Sequence, residues 1–135
     1  MNKLARLHTN QYKKGRIQMI KNVKLKVVGV TFTNEDGTNR QSIIKELLPC
    51  DTITLRREPT NRYDTNAIMV LTDKGQVGYI GKDYASILAP MMDAGTQFKA
   101  TIGETGEYKG NYYLHIVINE VGPKDSTQLS GGNLW

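Results

Sequence analysis

An aromatic ring and a carboxylate stand side by side at Tyr63 and Asp64. They belong to the stretch L-R-R-E-P-T-N-R-Y-D-T-N-A-I-M-V (55–70), in which a charged, turn-rich loop separates two apolar, strand-like runs. Pro59, Asn61 and Asn66 are further turn formers of this loop. Because binding residues concentrate in loops that a rigid scaffold holds in place, this pair is the first candidate for a functional site.

Each member of the pair has two interpretations. The ring of Tyr63 either stacks on a nucleic-acid base, a contact worth ~1–3 kcal/mol, or packs on Pro59 to close the loop. The carboxylate of Asp64 either accepts a hydrogen bond from a ligand hydroxyl or amino group, or closes an Asx-turn on nearby backbone N–H groups. The local pattern leaves both questions open.

Two arginines and three aromatic residues extend the candidate site. Side chains alternate along a strand, so Arg56 and Arg57 face opposite sides of the sheet. A guanidinium at a sheet rim pairs with a carboxylate or binds a phosphate, and Glu58 favours the internal pair for one of the two arginines. Three further aromatic residues are candidates to line the same groove: Phe32, Tyr79 and Tyr84. Such rings are more often core residues, and this holds above all for Phe32.

The common motifs of enzymes are missing from the sequence. There is no P-loop, no G-x-G-x-x-G opening a helix, no H-E-x-x-H and no G-x-S-x-G. His115 is expected on the outer face of a strand, and Cys50 is expected to be a small core residue. Glu58 and Asp64 offer two carboxylates to a hard cation, which is a weak signal. We therefore expect no cofactor and a binding function rather than catalysis.

The basic residues are unevenly distributed. Residues 1–26 contain eight basic residues and no acidic one, whereas residues 27–135 carry 10 basic and 13 acidic residues. A basic arm favours polyanions through counterion release, but it equally describes a solvated tail. The single cysteine, the lack of a long apolar run and the lack of a signal-peptide pattern predict a soluble cytoplasmic protein.

The periodicity of apolar residues predicts a β-dominated α+β domain. A small, partly open barrel accommodates such a sheet with fewer exposed edges than a flat sheet. We expect a flexible arm over 1–22, the barrel over 23–121 and a flexible tail over 122–135, with Pro90 kinking or breaking the second helix after Leu88. The expected elements are strands at 24–33, 51–57, 66–72, 76–80, 96–103 and 112–120, and helices at 40–48 and 83–94.

Three segments together resemble the HIRAN domain family. They are V-V-G-V-T-F (27–32), the stretch 55–70 quoted above and G-Q-V-G-Y-I-G-K (75–82). The resemblance extends from about Lys24 to Val121 and implies a modified OB-like barrel. HIRAN domains occur at the N-terminus of fork-remodelling Snf-type translocases and as short bacterial or phage proteins, which connects the family with DNA replication and repair.

The resemblance also implies a ligand, single-stranded DNA with a free 3′ end. Tyr63 matches the residue that stacks on the terminal base, and Asp64 the residue that accepts a hydrogen bond from the 3′-hydroxyl. Lys82 matches a phosphate-contacting lysine, and Tyr79 a residue that lines the groove. Where some members carry an arginine and two tyrosines that grip DNA, this chain has T-F-T at 31–33.

Three functions are compared on this basis. The first is a non-catalytic module that binds 3′-hydroxyl ends of single-stranded DNA and recruits or guides a nuclease or helicase. The second is a protein-interaction adaptor with the same barrel and no end binding. The third is a metal-dependent phosphoester hydrolase that uses Glu58 and Asp64. The sequence does not determine an oligomeric state.

Overall fold

Six antiparallel strands form a closed barrel in a computed structural model that describes residues 19–122. Around the barrel the strands follow the order β1-β4-β3-β2-β5-β6. This confirms the predicted β-dominated barrel with two short helices. The elements are β1 (Val23–Val28), α1 (Arg40–Lys45), β2 (Ile53–Arg57), β3 (Ile68–Thr72), β4 (Gly75–Ile80), α2 (Lys82–Asp93), β5 (Phe98–Tyr108) and β6 (Asn111–Glu120).

The barrel interior is filled by the inward-facing side chains of the strands. In β6, Leu114, Ile116 and Ile118 are fully buried and alternate with partly exposed residues, as expected for a strand with one face on the core. Both helices add their apolar faces to the same cluster, α1 through Ile43 and Ile44 and α2 chiefly through Leu88. His115 is half-buried on the outer face, as its position in the strand predicted.

The two predicted hairpins are present, and the second is longer than expected. β3 and β4 pair across the D-K-G turn. The strands β5 and β6 pair as far as Tyr108 and Asn111, so that only Lys109 and Gly110 form the turn. Both turn residues have positive φ, 50° and 84°, which suits a two-residue hairpin loop. The glycine-rich, charged sequence before this turn was expected to be a loop, but cross-strand pairing extends the strand through it.

Several predicted boundaries are wrong. β1 ends at Val28 rather than at residue 33, because Gly29 takes a φ of +71° and turns the chain away. α1 ends at Lys45, three residues early. α2 lies within one residue of its predicted bounds, but it is not broken after Leu88: it runs through Pro90 to Asp93, with Leu88 and Met91 packed in the core on either side of the proline. Cys50 is exposed rather than buried, because α1 has ended and the chain there runs along the surface.

The segment before β1 is attached to the barrel. The backbone N–H of Ile20 donates to Glu120 Oε1 (3.1 Å), and the N–H of Glu120 donates to the Ile20 carbonyl (2.7 Å). The described contacts of this segment with β6 therefore include Ile20, three residues before β1 begins. Most of the expected arm and tail, residues 1–18 and 123–135, lie outside the described residues. Between residues 19 and 122, neither helix has the length and apolar composition needed to cross a membrane.

The close approach of β4 to β1 requires glycine at position 78. A Cβ on Gly78 would lie 2.3 Å from the Val28 carbonyl oxygen and 2.7 Å from Val27 Cγ1, and its φ is +156°. We expect Gly78→Ala to lower the free energy of unfolding by about 3 kcal/mol or more, measured by chemical denaturation. Gly37 has positive φ but open space around its Cα, so Gly37→Ala should cost only about 1–2 kcal/mol. Equal losses for both variants would contradict the proposed clash.

Candidate functional site

Backbone hydrogen bonds close the loop that carries Tyr63. The N–H of Glu58 donates to the Ala67 carbonyl (2.9 Å), which joins the two ends of the loop where β2 and β3 diverge. Inside the loop, the N–H of Asn61 donates to the Glu58 carbonyl (3.0 Å) and the N–H of Ala67 to the Asp64 carbonyl (3.0 Å). The loop is therefore an ordered structure fixed to the rim of the barrel.

The side chain of Asn61 organises the loop interior. Its Oδ1 accepts hydrogen bonds from the backbone N–H groups of Tyr63 (2.8 Å) and Asp64 (3.0 Å). Its Nδ2 donates to Glu58 Oε1 (2.7 Å), and the same oxygen accepts from the Tyr79 hydroxyl (2.7 Å). Through this chain of contacts, β4 determines where the backbone of Tyr63 and Asp64 lies.

The loop presents Tyr63 to solvent and uses Asp64 in part for its own structure. Tyr63 is 84% exposed, so the alternative in which its ring packs on Pro59 is wrong. Asp64 is half-buried, and its Oδ1 accepts from the backbone N–H of Asn66 (2.9 Å), which is the expected Asx-turn. Within residues 19–122, Oδ2 of Asp64 makes no hydrogen bond. One carboxylate oxygen thus supports the turn and the other is available to a ligand.

Three aromatic residues surround one open groove of about 850 Å³. Tyr63 and Phe32 contribute exposed rings, and Tyr79, on strand β4, contributes a half-buried one. Phe32 is 65% exposed, so the expectation that it belongs to the core is wrong. It lies beyond the end of β1, where the turn at Gly29 has carried the chain off the barrel.

Charged groups line the same groove. Arg40 lies with its guanidinium carbon 5.6 Å from the centre of the Tyr79 ring, a cation–π distance. Glu35, Glu58 and Arg62 also line the groove. Burial and the hydrogen bond to Glu58 raise the pKa of the Tyr79 phenol, which therefore stays protonated and remains a donor at neutral pH. The groove combines aromatic surfaces with fixed charges of both signs.

The other predicted site residues occupy neighbouring surfaces. Lys82 and Tyr84 line a second groove of about 370 Å³ beside β1, together with Lys24 and Lys26. Arg56 lines a third groove of about 390 Å³, which shares Arg40, Glu58 and Tyr79 with the aromatic one. Asp64 follows Tyr63 in the chain but does not line the aromatic groove. The structure therefore brings Phe32, Tyr63 and Tyr79 together and places Lys82 elsewhere.

Arg57 is held by the protein itself. Its Nε donates to Asp93 Oδ1 (2.9 Å), Nη1 to the Ala67 carbonyl (2.6 Å) and Nη2 to the Thr65 carbonyl (2.9 Å). The expected internal ion pair of one arginine is present, but the partner is Asp93 at the end of α2 rather than Glu58. With all three nitrogens engaged, Arg57 supports the loop and is a poor candidate for a DNA contact.

Sequence reasoning missed two residues of the site. Asn61 was recognised only as a turn former, although its side chain holds the loop. Arg40 was recognised only as the first residue of a helix. A cation at a helix N-terminus opposes the helix dipole, so its position there was a signal that it serves another purpose. In the described part of the chain, no group of three His, Cys, Asp or Glu side chains is placed to hold a metal ion.

The closed six-stranded antiparallel barrel with two short helices places this chain in the class of small OB-like barrel domains. The HIRAN domain model matches residues 20–119, which is most of the chain and the whole of the barrel apart from its last residue. The chain therefore belongs to the HIRAN domain family. This confirms the resemblance inferred from the three sequence segments.

Curated relatives match a short part of the chain. A putative SWI/SNF-related matrix-associated actin-dependent regulator of chromatin (subfamily A member 3-like 1) from Arabidopsis thaliana is 51% identical over 45 residues, or 33% of this chain. Helicase-like transcription factor from Oryctolagus cuniculus is 52% identical over 42 residues, or 30% of this chain. The aligned stretches span only 5% and 4% of those relatives.

Two solved structures share the fold. The crystal structure of a protein from Lactobacillus plantarum aligns with a TM-score of 0.62 at 23% identity, covering 76% of this chain and 95% of that one. The HIRAN domain of human HLTF aligns with a TM-score of 0.54 at 24% identity, covering 81% of this chain and 84% of that domain.

Removing the Asn61 side chain tests how the loop is held. We expect Asn61→Ala to lower the free energy of unfolding by about 1–2 kcal/mol, because two backbone donors and Glu58 lose a partner. Amide hydrogen exchange at Tyr63 and Asp64 should accelerate. Thr60→Ala, in the same loop at an exposed side chain, is the matched control and should change neither quantity. Unchanged exchange at Tyr63 in Asn61→Ala would contradict this role.

Proposed function

We propose that this protein is a non-catalytic module that binds single-stranded DNA at a free 3′-hydroxyl end. The observation that carries the proposal is the exposure of Phe32 and Tyr63 around one groove that Tyr79 also lines. Exposed rings of this kind are stacking surfaces for unpaired bases. The HIRAN family and the helicase-like and chromatin-associated names of the relatives support nucleic acid as the ligand.

The carboxylate of Asp64 supplies the preference for an end. It follows the stacking residue Tyr63 directly, and its Oδ2 is available as an acceptor while Oδ1 holds the turn. A terminal hydroxyl would donate a hydrogen bond to this oxygen. A 3′-phosphate or a continuing phosphodiester would instead bring a negative charge against it. Asp64 therefore strengthens the binding of a 3′-hydroxyl end and weakens the binding of a 3′-phosphate or a continuing strand.

The second groove extends the proposed DNA path. Val28 lines it, and the next residue, Gly29, lines the aromatic groove. Lys24 also lines it, but its Nζ is held by Glu104 Oε1 (2.7 Å). The ammonium groups of Lys26 and Lys82 form no ion pair within residues 19–122 and suit the phosphates of the strand upstream of its end. Such a module would bring a nuclease or helicase of another chain to a DNA terminus.

The end preference can be measured by fluorescence anisotropy on short oligonucleotides with a 3′-hydroxyl or a 3′-phosphate. We expect tighter binding of the hydroxyl end by about tenfold or more, since a hydrogen bond to a charged group is worth about 1.5–3 kcal/mol. Asp64→Ala should remove this preference. Asp64→Asn, which keeps an acceptor for the turn but no charge, should tolerate the 3′-phosphate. Equal affinity of the native protein for both ends would reject the role of Asp64.

The basic arm is expected to contribute affinity without end preference. Residues 1–18 contain five basic and no acidic residues, and the described contacts with β6 begin at Ile20. A chain beginning at residue 19 should bind more weakly and show a flatter dependence of log affinity on log salt concentration, while its preference for the 3′-hydroxyl persists. Complete loss of DNA binding on this truncation would mean that the barrel does not recognise the 3′ end.

A further inference from the structure

Arg40 is a buried cation without an acidic partner. Only 8% of the residue is exposed. Its Nε donates to Asn34 Oδ1 (2.6 Å) and its Nη1 to the Gly29 carbonyl (2.8 Å), and both acceptors are neutral. Among residues 19–122 it forms no ion pair, and its Nη2 makes no hydrogen bond. A guanidinium carries five N–H donors, so more than half of them remain unused.

The contacts of Arg40 within the fold, two hydrogen bonds to neutral acceptors and the Tyr79 ring, compensate this burial only in part. Removing a charge from water is costly unless the charge is paired, and two neutral acceptors compensate only part of that cost. The position at the start of α1 also sets the cation against the helix dipole. The contacts with Asn34 and Gly29 hold the loop that follows β1, but they engage only Nε and Nη1 and leave the outer end of the guanidinium free.

That outer end faces a ligand site. Arg40 lines the aromatic groove together with Phe32 and Tyr79. Gly29 lies at the base of this arrangement, where a Cβ would be 3.4 Å from Arg40 Nη1 and 3.7 Å from the Phe32 ring. The two hydrogen bonds fix the guanidinium in one orientation. Nη2, which makes no hydrogen bond within residues 19–122, and the second N–H of Nη1 are then left to donate to the oxygens of a phosphate.

Two carboxylates in the groove do not neutralise this cation. Glu58 lines the groove, but its Oε1 is engaged by Tyr79 and Asn61. Glu35 is exposed and also lines the groove, and neither residue forms an ion pair with Arg40. Both acids lower the general attraction of the groove for anions. A phosphate is therefore stabilised there only in direct contact with the guanidinium.

We propose that Arg40 binds one backbone phosphodiester of the strand whose terminal base stacks on Tyr63. This inference rests on the proposed function and adds to it a phosphate site inside the aromatic groove, apart from the lysines of the second groove. The stacking rings hold the base, and Arg40 holds the phosphate that precedes it. Arg40 thereby sets how far the terminal nucleotide enters the groove.

The test combines substitutions of Arg40 with oligonucleotides that carry a single methylphosphonate, a neutral replacement of one phosphodiester. We expect one position near the 3′ end at which this replacement weakens binding by the native protein about tenfold. Arg40→Gln should bind the unmodified strand about tenfold more weakly and be insensitive to the replacement at that position. The slope of log affinity against log salt concentration (the salt slope) should become shallower by about 0.7, the value for one phosphate of a single strand.

Two variants separate this contact from a loss of loop structure. Arg40→Lys keeps the charge and loses the planar fork, so its affinity should fall while its salt slope stays near the native value. Asn34→Ala removes one hydrogen-bond partner of Arg40 and loosens the loop without removing the charge. It should retain the sensitivity to the methylphosphonate. Thermal unfolding of each variant verifies that the barrel is folded.

The outcomes distinguish this inference from the proposed function. One outcome would overturn the phosphate contact but not the end recognition. In it, Arg40→Gln keeps the native dependence of affinity on salt, the native sensitivity to the methylphosphonate and the preference for a 3′-hydroxyl. The expected Arg40 effects in a protein that binds hydroxyl and phosphate ends equally would support the contact and reject only the end recognition by Asp64. Absence of binding to any oligonucleotide by the native protein would overturn both.

Discussion

A single carboxylate oxygen, Glu58 Oε1, connects the barrel wall to the candidate site. It accepts from the Tyr79 hydroxyl on β4 and from the Asn61 amide in the loop, each at 2.7 Å. Asn61 in turn holds the backbone N–H groups of Tyr63 and Asp64. The position of the backbone that carries the exposed ring is therefore fixed through hydrogen bonds to strand β4. A rigid scaffold that positions a charged loop is the arrangement that binding domains use most widely.

The site departs from the rules that the rest of the barrel obeys. Large aromatic side chains are exposed at Phe32 and Tyr63, whereas the charged residue Arg40 is only 8% exposed, with part of its guanidinium at the groove. Each of these placements is unfavourable for the isolated protein, because the aromatic side chains expose apolar surface to water and the burial of Arg40 removes a charge from water. Such local conflicts are expected where function rather than stability selects the residue. All three residues line one groove, which makes a common purpose the simplest explanation.

The sequence by itself determined the β-dominated barrel, the β3–β4 hairpin, the loop that carries Tyr63 and Asp64, and the family. These features depend on alternation, turn residues and a contiguous motif, which are all local. Only the tertiary structure decided that Phe32 is exposed, that Arg57 pairs with Asp93, that Lys82 lies in a different groove and that Arg40 enters the aromatic one. Arg57 and Asp93 are 36 positions apart and meet because the barrel closes. Contacts of this kind are set by strand order and by the course of the chain beyond each strand, about which a local pattern carries no information.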